Sequence, residues 1–250
     1  MILPRIASFS LLTSLMMAFA VATSSAHEQT APPDRQIEQQ VRDKLSDEED
    51  LSDVTVTAQG HEVTLSGTVP SVWAKEEAIK QALEVERVQS VVNDLTIETA
   101  ESDAIVGEQV VEQILRYPLY TLYDHVDFGI DNGLVTLVGK VTQAIKATEI
   151  ARRASRVRGV KELSNQIDVL PASVGDDNLR TVIARRIYRH PFLSQYANLL
   201  HPPIHIIVEH GRVTLTGAVS SQSDKQIAGR TASEIFGVLS VENNLRVSGR

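Results

Sequence analysis

The chain has 250 residues, a formal net charge of −8 and no cysteine. The missing thiols exclude disulfides, cysteine nucleophiles, cysteine metal sites and acylation at a lipoprotein cleavage site. The acidic balance argues against nucleic acid as a partner.

Residues 1–26 are expected to form a secretory signal peptide. Arg5 gives a basic start, Ala7 to Val21 is largely apolar, and Ser24-Ser25-Ala26 offers small residues for cleavage. The apolar run is short for a membrane span, which needs about 20 residues. The expected location is therefore the periplasm, with neither a lipid anchor nor a transmembrane helix in the mature chain. Residues 27–33, with Pro32-Pro33, are expected to be a linker.

A first unit is expected over 34–100. Ile37, Val41 and Leu45 recur every four residues and predict a helix from Asp34 to Leu45. Val54, Val56 and Ala58 alternate as a strand, and Val63 and Leu65 belong to the next. Ser71 is the expected N-cap of a second helix running to about Val85. Val91, Leu95 and Ile97 share one face of a third strand.

A second unit (102–171) and a third (176–250) replay this order. Val106, Val110 and Ile114, then Leu179, Ile183 and Ile187, take the first-helix positions. Val126, Phe128 and Ile130, then Ile206 and Val208, take those of the first strand. The second strand reads Gly133-Leu134-Val135-Thr136-Leu137-Val138-Gly139-Lys140-Val141 and Gly211-Arg212-Val213-Thr214-Leu215-Thr216-Gly217-Ala218-Val219, with a looser copy from Gly60 to Val69. The leading glycines fit a tight turn and the trailing ones a bend or close backbone approach. From Gly67, Gly139 and Gly217 the copies align without a gap for about 30 residues. Ala82, Ala154 and Ala232 coincide, where a small side chain lets the second helix lie close to the sheet. Asn93, Asn165 and Asn243 coincide too, and are expected to fix a turn by bonding nearby backbone; the other reading is a ligand contact.

The G-x-V-T-L-x-G-x-V strand, the helix after it, and the closing Gly159-Val160…Asn165…Ile167 and Gly237-Val238…Asn243…Leu245 resemble the BON family (bacterial OsmY and nodulation domains). The resemblance covers about residues 34–250. The first copy departs from it at Arg87, where the others have Gly. The residue pattern gives an α+β fold of three tandem αββαβ units, each a three-stranded mixed sheet with two helices on one face. The resemblance implies the same fold. It also implies a phospholipid-binding or envelope-integrity module, with a role in osmotic stress.

The copies differ between the first helix and the hairpin. Leu45 to Val63 is 18 residues, Ile114 to Val135 is 21, and Ile187 to Val213 is 26. The added segments begin Arg116-Tyr117-Pro118-Leu119-Tyr120 and Arg189-His190-Pro191-Phe192-Leu193. With their flanks they hold Tyr117, Tyr120, Tyr123, Tyr188, Phe192 and Tyr196, most of the aromatics after residue 26. Either these inserts cap their own cores, or they present tips to a lipid interface or a partner, as amphipathic rings do. The candidate contact residues are Tyr117, Leu119, Tyr120, Tyr123, Arg185, Arg186, Arg189, Phe192, Leu193 and Tyr196.

Charge is graded along the chain, with net values of −9, −1 and +3 for units 1, 2 and 3. Arg180, Arg185, Arg186 and Arg189 fall on the first helix of unit 3. Arg152, Arg153, Arg156 and Arg158 fall on or just after the second helix of unit 2. Such runs are either solvated faces or cations for phosphate headgroups, worth about 1 kcal/mol each near an anionic membrane.

No G-x-S-x-G, Walker, G-x-G-x-x-G or H-E-x-x-H motif occurs. His201, His205 and His210, with His190 nearby, are the one tempting cluster, but His205 and His210 are an odd number of residues apart, so a strand points them to opposite faces and separate surface histidines are expected instead of a shared metal. Glu48-Glu49-Asp50 reads as a polar loop with no apolar pocket. The expectation is a non-enzymatic protein needing no cofactor or metal, with an anionic phospholipid surface as partner. The alternative is a protein-interaction or chaperone-like module acting on envelope proteins.

Overall fold

The computed structural model describes residues 33–98 and 102–248. The expected signal peptide, the linker up to Pro32 and the boundary at Ala100-Glu101 lie outside them. The described residues build one module three times. Unit 1 contains α1 (Pro33–Leu45), β1 (Thr55–Gln59), β2 (Glu62–Val69), α2 (Val72–Leu83) and β3 (Ser90–Ile97). Unit 2 contains α3 (Asp103–Leu115), β4 (His125–Asp131), β5 (Leu134–Val141), α4 (Ala144–Ser155) and β6 (Glu162–Val169). Unit 3 contains α5 (Val174–Arg189), β7 (Ile204–Glu209), β8 (Arg212–Val219), α6 (Gln222–Ser233), β9 (Ser240–Asn243) and β10 (Arg246–Val247).

In each sheet the hairpin is antiparallel and the last strand runs parallel to the hairpin's second strand, which is central. The parallel pairing follows from the intervening helix, which carries the chain back across the sheet before the last strand enters. In unit 3 the last strand is interrupted at Asn244-Leu245 and appears as β9 and β10.

The alternating Val and Leu of each central strand fill the cores: Val63, Leu65, Val135, Leu137, Val213 and Leu215 are all buried. Each such side chain contributes about 1.5–3 kcal/mol. The four-residue stripes Ile37/Val41/Leu45 and Val106/Val110/Ile114 are buried, as are Ile183 and Ile187. Ala82, Ala154 and Ala232 are fully buried, so the second helix of each unit sits at alanine distance from its sheet.

Serine caps start several helices. Ser71, Ser173 and Ser221 accept from the N–H groups of Ala74, Asp176 and Asp224. Because Ser173 caps it, α5 begins at Val174, two residues before the expected start of unit 3.

The trailing glycines sit where backbones almost touch. A Cβ at Gly139 would lie 2.1 Å from the His125 carbonyl oxygen, and one at Gly217 1.9 Å from that of Pro203. No side chain fits there.

The asparagines do something other than fix a turn. Asn93, Asn165 and Asn243 lie within the third strand, and each accepts from the N–H two residues on. Asn165 and Asn243 also donate to the carbonyls of Ala147 and Lys225 in the second helix. They stitch strand to helix.

A second repeated device had no obvious mark in the sequence. The first-helix aspartates Asp34, Asp103 and Asp176 accept from N–H groups of the hairpin turns at Gly60, Asn132-Gly133 and His210-Gly211. Burial pushes the Asp176 carboxyl up, but the N–H groups of Gly211 and His210, with Arg180, outweigh it and hold it below its ordinary value.

Arg87 has φ +78°, matching Gly159 at +87° and Gly237 at +96°. A side chain costs about 1–2 kcal/mol in that left-handed region. Arg87→Gly is therefore expected to stabilise unit 1 by about 1 kcal/mol, after allowing for glycine's entropy. A higher urea midpoint for its transition checks this, and a lower one contradicts it.

Candidate functional site

The inserts are first of all structural. In unit 2, Tyr117 is buried in the core beneath Arg153, whose guanidinium lies 5.2 Å from the ring centroid. Tyr120 is half-buried, and its hydroxyl accepts from the Val126 N–H at 3.2 Å. Burial pushes its phenol up to about 12. Asp124 ends the insert. Its fully buried carboxylate takes hydrogen bonds from the N–H and hydroxyl of both Thr121 and Thr142. It also pairs with the buried Lys146 ammonium at 2.7 Å.

In unit 3, Leu193 and Tyr196 are core residues. The Tyr196 hydroxyl donates to Asp224 at 2.8 Å and accepts from the Ser220 N–H at 2.7 Å. Both inserts are thus tied to the corner between the second strand and second helix of their own unit. As candidate contact residues Tyr117, Leu193 and Tyr196 are corrected: they cap their own cores, the first of the two readings of the inserts.

Leu122 and Tyr123 go elsewhere. They pack against the core of unit 3, and the Leu122 carbonyl accepts from the Ile206 N–H on the edge of β7 at 2.8 Å. The outer sheet faces of the two units meet beside this contact. His125 and Tyr120 lie at 5.4 and 5.7 Å from the His205 ring. Lys140 pairs with Glu209.

The arginines separate in the same way. Those of unit 2 hold neighbours. Arg152 pairs with Glu149, Arg153 covers Tyr117, Arg158 pairs with Glu98, and Arg156 stacks 3.7 Å from the Trp73 ring centroid of unit 1. Of the two readings of this run, free headgroup cations do not hold for these four, because aromatic rings and carboxylates of this chain face them. Arg180 is corrected too. It is buried, bonded to the Val208 carbonyl and paired with Asp177.

Among the described residues, the remaining expected arginines share one surface. Arg185, Arg186 and Arg189 of α5, Phe192 of the insert and Arg230 of α6 line a groove of about 940 Å³ between the two helices of unit 3. Ile227, Thr231 and Glu234 line it too. Phe192 is 66% exposed. Among the described residues none of these four arginines is in an ion pair. The fold therefore brings together Arg185, Arg186, Arg189 and Phe192 from the expected set. Leu119, 52% exposed, lies on unit 2 outside this groove. Arg230 was missed, since nothing short of the α5–α6 packing brings it into the same groove as Arg185. Leu200, 90% exposed in the insert of unit 3, was missed as well, although the longer insert length pointed to that stretch.

The same module thus recurs with its turns, caps and stitching asparagines. The BON domain model matches it at residues 33–99, 102–171 and 175–249. The chain belongs to the BON domain family. No protein of curated function matches it.

Among solved structures, it is similar to CdsD, a structural protein of the type III secretion system of Chlamydia trachomatis. The identity is 15% over 86% of this chain and 93% of that one, with a TM-score of 0.25. The C-terminal domain of CdsD gives 14% identity over 84% and 96%, with a TM-score of 0.24. The PrgH periplasmic domain gives 10% over 78% and 95%, with a TM-score of 0.19. Among the described residues of the three BON units, no helix is long and apolar enough to cross a membrane.

Proposed function

We propose that this three-BON chain is a non-catalytic protein of the bacterial envelope that binds anionic phospholipid surfaces through unit 3. The observation that carries the reading is the groove between α5 and α6, lined by an exposed phenylalanine and by four arginines that are in no ion pair among the described residues. Interfacial binding combines an apolar group buried in the headgroup region with cations at the phosphates. Arg185, Arg186, Arg189 and Arg230 supply the cations, and Phe192 the apolar group. The net −9 of unit 1 favours an arrangement with that unit away from the bilayer. The expected periplasmic location and osmotic-stress role belong to this proposal and rest on the leader sequence and the family.

The test is co-sedimentation with vesicles containing phosphatidylglycerol. Arg185→Glu combined with Arg189→Glu removes two cationic contacts, about 2 kcal/mol, and is expected to weaken partitioning roughly 30-fold. Added salt weakens the wild type in the same direction. Equal recovery on neutral phosphatidylcholine vesicles, or none on either, rejects the reading.

A further inference from the structure

Units 1 and 2 meet through two turns. The corner between β2 and α2 presents the Pro70 carbonyl and the Val72 N–H. The corner between α4 and β6 answers with the Gly159 N–H at 2.9 Å and the Val160 carbonyl at 2.8 Å. Around this pair of hydrogen bonds, Val72 packs onto the core of unit 2 and Arg156 covers Trp73.

Both halves of this joint recur without a backbone partner among the described residues. Counting from the trailing glycines, Gly159-Val160 corresponds to Gly237-Val238 of unit 3, and Gly237 has the same left-handed backbone. Neither the Gly237 N–H nor the Val238 carbonyl takes part in a backbone hydrogen bond among the described residues. The flanking positions, Arg158 and Lys161 in unit 2, are Phe236 and Leu239 here, 101% and 75% exposed. By the same count Pro70, Val72 and Trp73 correspond to Thr142, Ala144 and Ile145 of unit 2. Ile145 is 52% exposed, and the Thr142 carbonyl and Ala144 N–H are likewise free of backbone partners among the described residues. Unit 3 does not fill this corner, because the insert of unit 2 engages the edge of β7 instead. The matching corner of unit 3 is Ser220 to Ser223, with no apolar side chain to offer.

We infer that the Phe236–Leu239 turn of one copy docks onto the Thr142–Ile145 corner of a second copy, repeating the joint between units 1 and 2. Gly237 donates to the Thr142 carbonyl, Ala144 donates to the Val238 carbonyl, and Phe236 and Leu239 cover Ile145. The two surfaces differ, so the contact is heterologous and propagates head to tail, closing into a ring or extending as a filament according to its rotation.

The absence of cysteine makes the test specific. Full-length Phe236→Cys and Ile145→Cys variants are mixed under mild oxidation. The mixture is expected to give crosslinked dimer well above either variant alone, and above Phe236→Cys mixed with Leu200→Cys as an exposed control. Sedimentation of the wild type should show association that rises with concentration. It should weaken by about tenfold or more, the scale for losing an aromatic anchor, in Phe236→Glu and equally in Ile145→Glu. Crosslinking no better than the control overturns the inference, as does a wild type monomeric up to about 1 mM. A monomer whose vesicle binding falls in Phe236→Glu also overturns it, and reassigns the turn to lipid.

Discussion

Asp124→Ala is expected to lower the stability of unit 2 by about 3–5 kcal/mol, the usual cost of removing one partner of a buried ion pair. The carboxylate is fully buried and Lys146 is only 5% exposed, so the substitution leaves a buried cation without its counter-charge. It also frees the N–H and hydroxyl donors of Thr121 and Thr142. Urea unfolding, with the transition of unit 2 followed separately from those of its neighbours, measures the effect. Adding Lys146→Met is expected to restore part of it, because the stranded charge is the larger share of the damage. A loss below about 1 kcal/mol in the single variant would mean that the pair stabilises no more than a surface bridge does. The pH dependence follows from the sign of the shift. Burial raises the Asp124 carboxyl, but Lys146, Thr142 and Thr121 outweigh it, so the folded value lies below the ordinary 3.8. This stabilisation is complete above that pH and is lost as pH falls through the lower folded value.

Acidification acts earlier on the junction between units 2 and 3. Burial and the neighbouring His125 hold His205 down at about 4, against 6.5 for a free histidine. Nearby backbone and Asp124 pull the other way without reversing this. His125 is itself lowered by burial, with Asp127 opposing and Arg246 assisting. A depressed histidine is neutral when folded and protonates when unfolded. It therefore takes nothing from stability above about 6.5 and progressively destabilises between 6.5 and 4. The full shift corresponds to about 3 kcal/mol. Lowering the pH from 7 to 4.5 is expected to detach unit 3 from unit 2, seen as faster amide exchange at Ile206 and a lower urea midpoint. His205→Leu should remove most of that slope, since a leucine fills the contact with His125 and Tyr120 without titrating. An unchanged slope in the variant would place the titration elsewhere. The Asp124 effect lies below this window, so the two are separable in one pH series.

The sites of these effects differ in how far the sequence reveals them. His205 reads as a surface histidine on a strand, because β7 shows it on the face away from its own core. The Tyr120 and His125 rings of unit 2 lie against it and help to leave it half-buried. Asp124 reads as one acidic residue among many. Its role appears once the insert folds back and brings Thr121, Thr142 and Lys146 around it. The arginines make the same point at the surface. Eight of them looked equivalent along two helices, yet Arg156 and Arg158 serve the joint with unit 1, and Arg180 is buried under β7. Arg185, Arg186 and Arg189 remain on the groove.

The sequence by itself determined the module, its number of copies, its strand and helix order, and which strand and helix residues face each core. Periodicity and turn chemistry are local, so each is written within a few residues and repeated three times. The tertiary structure decided what the inserts do, which cations stay free, and how the units join. Those outcomes depend on contacts between residues far apart in the chain, such as Leu122 with Ile206 or Trp73 with Arg156, and local pattern carries no record of which distant neighbour arrives.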